Sequence, residues 1–159
     1  KYLKKQGFED IIGVDLSQAM MDQANKGSGQ VPCENQDASS LSFKDNSFDL
    51  GIISYALHEK PYETARKIIH EAQRVIQSRG DLILVDYLFK DTVRLPARAA
   101  IHTAERIAGR DHYRYFRKYL NYGGMDKLME GFNLKEEYRL HSNATGIRVY
   151  SMDKYGQYA

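Results

Sequence analysis

Only one cysteine, Cys33, occurs in the 159 residues, so no internal disulfide can form. No Cys/His cluster has the local spacing of a zinc site either, and no metal is expected. Long apolar runs are absent too. The longest are four residues, such as 82–85, far below the ~20 that a membrane-spanning helix needs. Charge of one sign is not in excess: 23 Lys and Arg stand against 21 Asp and Glu, which argues against a dedicated nucleic-acid domain with its basic stripe. The chain begins at Lys1 with no apolar signal-peptide core behind it, so Lys1 is not read as a natural start and the expected compartment is the cytoplasm. Proline is scarce at three residues, and no Pro/Gly linker, repeat or low-complexity tract interrupts the chain. With 42% apolar residues, a domain of this size can bury roughly 70% of its unfolded surface. One domain over 1–159 is expected.

What is present alternates between short apolar runs and amphipathic stretches, the pattern of an α/β fold with a mostly parallel, doubly wound sheet. The run 11–15 reads as a strand, and Ser17 as the N-cap of a helix reaching Ala24. A strand over 31–35, a polar loop over 36–46 and a buried strand over 48–54 follow. Pro61 opens a helix on which Ala65, Ile68, Ile69, Ala72, Val75 and Ile76 share a face, and Gly80 is expected to stop it. Residues 81–87 form the strongest strand signal. From about 94 to 130 the texture is helical and Tyr-rich, and 134–141 and 145–152, separated by 142–144, predict an antiparallel hairpin.

Two carboxylates carry candidate chemistry. Asp15 ends the first strand, at the edge where open parallel sheets bind ligands, and can accept both hydroxyls of a ribose; the plainer reading is a turn or cap residue. Asp37, beside the small Ala38 in the loop after the second strand, can meet an adenine amino group, or be an ordinary loop residue.

Taken together, "IIGVDLSQAMMDQA", "ENQDASSLSFKDNSFDLGIISYALHE" and "EAQRVIQSRGDLILVDY" resemble, in order and spacing, the class I S-adenosylmethionine-dependent methyltransferases. The nearest likeness is to the small-molecule branch that includes the ubiquinone and menaquinone methyltransferases. The resemblance extends over nearly the whole chain, including "GGMDKLMEGFNL" before the terminal hairpin. It implies a Rossmann-like sheet ending in an antiparallel pair, S-adenosyl-L-methionine as cofactor and a small-molecule methyl acceptor, with no nucleic-acid partner and room for a homodimer. It assigns Asp15 to the ribose, Leu16 to packing on the adenine, and Asp37 and Ala38 to the adenine edge. Ser54, Tyr55 and Ala56 fall beside the methionine and the transferring methyl.

The family's glycine-rich loop should lie about 20 residues before the acidic strand end, which falls ahead of Lys1. Residues 1–6, stopped by Gly7, look like the tail of the helix that follows that loop, so the first strand and the loop are expected to be missing from this chain. Ser54-Tyr55-Ala56-Leu57-His58 replaces the Asn/Asp-Pro-Pro-aromatic turn of enzymes that methylate base amines, which disfavours such substrates.

His58 is the candidate general base, because an imidazole titrates near working pH; the alternative is a packing or capping histidine. Tyr113, Phe116 and Leu120 share one face of a helix whose Arg110, Arg114, Arg117 and Lys118 face solvent. In the resembling enzymes this insert covers the substrate pocket, which places His58, His112 and Tyr113 at its mouth. Cys33 is expected to be an inert core thiol. Two rival readings are an NAD(P)-dependent oxidoreductase, whose ribose Asp15 would serve equally well, and a non-catalytic methyltransferase-like module.

Overall fold

A computed structural model describes residues 2–24, 26, 31–91 and 93–152; Lys1, at the start of the expected helix tail, lies outside them. The chain forms two compact units, residues 1–42 and 43–159.

In the first unit a short helix, α1 (Tyr2–Lys5), ends at Gly7, whose φ of 91° only glycine adopts easily. Strand β1 (Gly13–Asp15) lies parallel to β2 (Cys33–Asn35). Gly13 permits that approach, since a Cβ there would fall 2.9 Å from Cys33 Sγ. Cys33 is half-buried in β2 and is not the enclosed core thiol expected; a three-residue strand in a two-stranded sheet buries little on either face. Between the strands runs α2 (Gln18–Ala24), entered at Ser17 as expected: Met20 N donates to Ser17 Oγ at 3.4 Å.

The second unit is a four-stranded mixed sheet in the order β3-β4-β6-β5. Strand β3 (Phe48–Ser54) pairs in parallel with β4 (Ile76–Tyr87), and β4 pairs antiparallel with β6 (Thr145–Ser151). The expected hairpin is present, β5 (Lys135–Ser142) turning into β6 through Asn143 in the left-handed region (φ 52°). Helix α3 (Tyr62–Val75) crosses from β3 to β4 and buries Ala65, Ile68, Ile69, Ala72 and Val75, the face that the periodicity marks.

The helix does not run on to Gly80. It stops at Val75, and Ile76 enters the strand directly with ψ 135°. Gly80 is required for a different reason: a Cβ there would lie 2.5 Å from the Asp49 carbonyl oxygen and 2.6 Å from Ile76 Cγ2. It therefore permits a close backbone approach between β4 and β3 instead of capping a helix. Along β4 the inward positions are Gly80, Leu82, Leu84 and Asp86. Three helices, α4 (Leu95–Ala108), α5 (Arg110–Asn121) and α6 (Gly124–Met129), fill the Tyr-rich segment. On α5, Phe116 and Tyr119 are buried while Arg110, Arg114, Arg117 and Lys118 are exposed.

Candidate active site

In the first unit, β1 and β2 end side by side, Asp15 in register with Asn35. Asn35 Nδ2 donates to the Leu16 carbonyl at 3.0 Å and holds the two strand ends together. Asp15 Oδ1 accepts the Ser17 backbone N–H at 2.8 Å, so one oxygen shapes the turn into α2. Asp37 Oδ1 accepts both the N–H and the hydroxyl of Ser39, each at 2.8 Å. Both carboxylates are exposed beyond the carboxyl ends of a parallel pair, where backbone N–H groups of turns and helix starts favour anionic or polar ligands. Leu16, 59% exposed, offers an apolar surface beside Asp15, and Ala38 is half-buried beside Asp37.

In the second unit, β3 gives way after Ser54 to Tyr55, whose φ of 50° is rare for a bulky side chain. The turn is held by Tyr55 N donating to Val85 O at 2.8 Å, and the Tyr55 hydroxyl bonds the hydroxyl of Thr145. The Tyr55 ring sits edge-on to Tyr87, with centroids 5.2 Å apart. Ala56 is half-buried, and Leu57 and His58 are buried.

The fully buried Asp86 organises this turn. Its Oδ2 accepts the backbone N–H groups of Leu57 and His58, both at 3.2 Å, and its Oδ1 accepts Tyr87 N at 2.7 Å and His58 Nδ1 at 2.6 Å. The other His58 nitrogen, Nε2, lies 3.5 Å from Glu105 Oε2 on α4. That oxygen also meets His112 Nε2 of α5 at 2.6 Å, and His112 Nδ1 lies 3.2 Å from Glu59 Oε2. Burial pushes the His58 pKa down, but the hydrogen bond to Asp86 and the carboxylates of Asp86, Glu105 and Glu59 outweigh it and hold the pKa above 6.5. Burial, with Glu105 beside it, pushes the Tyr87 phenol up. Rings of Tyr87, Phe116 and Tyr119 surround the His58 imidazole at 4.8–6.3 Å.

Of the acceptor-side candidates, His58 and His112 are therefore brought together, their centroids 5.7 Å apart. Tyr113 is turned elsewhere, its hydroxyl 3.2 Å from both His102 Nδ1 and Arg106 Nη2. It lines an open groove of about 470 Å³ on the α5 surface with Arg110, Arg114, Arg117, Lys118 and Asn121. Sequence reasoning missed Asp86, Glu105 and Glu59. Asp86 carried a usable signal, since it is a carboxylate at the end of an apolar strand run, as Asp15 is. Glu105 carried none, because nothing in its neighbourhood marks a glutamate that tertiary packing buries.

A family model described as a methyltransferase domain matches residues 1–84, from α1 into β4. The chain belongs to the methyltransferase-domain family. Among curated relatives of the family, it is 34% identical over 84 residues to an uncharacterized methyltransferase, YcgJ, of Bacillus subtilis, covering 50% of this chain and 32% of the relative. It is 24% identical over 119 residues to a demethylmenaquinone methyltransferase of Bacteroides fragilis, covering 67% and 48%. The chain thus spans about a third to a half of these curated relatives. Among solved structures, a SAM-dependent methyltransferase from Aquifex aeolicus superimposes with a TM-score of 0.58 at 15% identity, over 94% of this chain and 73% of that one. That likeness shows the class I methyltransferase fold.

Proposed function

We propose that this methyltransferase-family chain takes part in methyl transfer from S-adenosylmethionine to a small-molecule acceptor. The observation that carries the reading is the pair of exposed carboxylates, Asp15 and Asp37, beyond the paired ends of β1 and β2. Asp15 keeps one oxygen for the turn and offers its exposed carboxylate to the ribose hydroxyls. Leu16 supplies an apolar plate for the adenine, and Asp37 with Ala38 takes the adenine edge. In the second unit, Ser54, Tyr55 and Ala56 are assigned to the methionine end, where the chain turns sharply after β3 with Tyr55 at positive φ.

On the acceptor side, the exposed Tyr55 ring, edge-on to the half-buried Tyr87 at 5.2 Å beside the proposed methionine end, suits a flat or apolar acceptor. Transfer from a sulfonium needs mainly alignment and exclusion of water. His58, the sequence-based candidate for a general base, is 3% exposed with both ring nitrogens facing carboxylates, so its proposed role is to position Glu105 and His112. An oxidoreductase reading is less favoured, since the family match and the relatives are methyltransferases.

In the full-length protein, Asp15→Ala should weaken S-adenosylmethionine binding by roughly 2–4 kcal/mol, for two charge-assisted hydrogen bonds lost. Asp37→Ala should cost less. Calorimetric titration checks this, with NAD as a ligand expected to give no binding heat; unchanged affinity in Asp15→Ala overturns the site.

A further inference from the structure

His58 and His112 each lie between two carboxylates. Because Asp86 can only accept, His58 Nδ1 donates to it, and Nε2 of the neutral ring is then a lone pair facing Glu105 Oε2 at 3.5 Å. Two acceptors face each other unless a proton or a cation stands between them. His112 is in the same position, with Nε2 against Glu105 Oε2 and Nδ1 against Glu59 Oε2. Glu59 is itself paired to Lys60 at 2.7 Å. Three potential ligand atoms, one each from His58, Glu105 and His112, lie within 4.8 Å of one another.

We infer that His58 Nε2, Glu105 and His112 Nε2 form a binding site for a divalent cation of the zinc type. Two imidazoles and one carboxylate are a donor set that zinc uses, leaving a fourth position for water. In a tetrahedral site with bonds of about 2.1 Å the donor atoms stand about 3.4 Å apart. The present spacings of 2.6 Å and 3.5 Å to Glu105 bracket that value, and all three donor atoms lie within 4.8 Å, so binding would draw the two imidazoles together while Asp86 holds the His58 ring. The outer contacts agree as well: histidine ligands commonly give their second nitrogen to a carboxylate, which fixes the ring and strengthens the donor. Asp86 does this for His58, and Glu59 is placed to do it for His112. One dication would replace the two protons that otherwise separate these acceptors. It would tie the turn after β3 to α4 and α5. The three ligands come from positions 58, 105 and 112, so no local spacing in the sequence reveals them.

The test is titration of the full-length, tag-free, chelator-treated protein with zinc by calorimetry and with cobalt(II) by visible absorption. The expected result is one equivalent bound, with the intense d–d bands of a low-coordinate cobalt site. His112→Ala should weaken zinc binding at least a hundredfold, and Glu59→Gln about tenfold as an outer-shell change. His70→Ala, outside the cluster, should leave binding unchanged. Circular dichroism checks that each variant folds; if His112→Ala does not, Glu59→Gln alone decides. The inference is overturned if the wild-type protein binds no stoichiometric zinc at tens of micromolar, or if binding is the same in every folded variant. Either outcome would mean that the cluster is a proton-bridged ion-pair chain only.

Discussion

At the scale of single residues, Asp86 and Gly80 show how little chemical latitude the interior of β4 allows. Asp86 is fully buried and accepts hydrogen bonds from Leu57 N, His58 N, His58 Nδ1 and Tyr87 N. In Asp86→Asn an amide NH2 would replace one accepting oxygen and confront at least one of these donors. Leaving a buried donor unpaired typically costs 1–3 kcal/mol, and more when a charge is involved. A loss of about 2–4 kcal/mol is therefore expected, read from the urea midpoint at constant m-value. Gly80→Ala would place a methyl 2.5 Å from the Asp49 carbonyl, which backbone cannot easily yield. Overpacking of this kind costs about 1–3 kcal/mol, and the same measurement checks it. A Gly80→Ala protein as stable as wild type would show that β3 and β4 can separate there freely.

At the scale of elements, α5 separates packing from solvation along one helix. Phe116 is fully buried against Tyr87, Phe89, His102 and Tyr113, whereas Arg117, next in sequence, is exposed. Phe116→Ala should destabilise by about 3–5 kcal/mol through lost burial and the cavity left behind. Arg117→Ala should fall within about 0.5 kcal/mol of wild type. Thermal unfolding of the two variants side by side checks the contrast. Similar effects would mean that α5 is not anchored by its aromatic face.

At the scale of the whole molecule, the acid limb of stability is expected to come partly from the terminal hairpin. Glu136 is held below the ordinary carboxylate value of 4.5 chiefly by its hydrogen bond from Arg139, with Arg139 and Arg148 adding charge attraction against the opposing effect of burial. Lys135 lowers Glu137 in the same way. A carboxylate depressed in the folded state stabilises the fold at pH values above its unfolded pKa. That contribution declines as pH falls below about 4.5 and is gone once the pH passes below the folded value. The buried Arg148, its guanidinium 3.4 Å from Asp126 and 3.7 Å from Glu136, then loses part of its counter-charge. Urea unfolding across a pH series should show stability dropping below about pH 4.5, with a shallower slope in Glu136→Gln. An identical slope in that variant would exclude Glu136 as a contributor.

Much of this architecture was legible because its determinants are local. Short apolar runs mark β3 and the second half of β4, the spacing from Ala65 to Val75 marks the buried face of α3, and Pro61 and Ser17 mark helix starts, all of which depend on near neighbours in the chain. The motif order around Asp15, Asp37 and Ser54–Ala56 carried the family resemblance, since each lies at a strand end that the sequence pattern itself locates. Three features were decided only by tertiary structure. Gly80 looked like a helix stop because its real constraint, the Asp49 carbonyl on a neighbouring strand, lies 31 positions away in sequence. The half-burial of Cys33 depends on what lies against β2. The Asp86–His58–Glu105–His112–Glu59 chain draws on β4, the turn after β3, α4 and α5. No periodicity within any of these segments could reveal that folding brings each of these ionisable groups within 3.5 Å of the next.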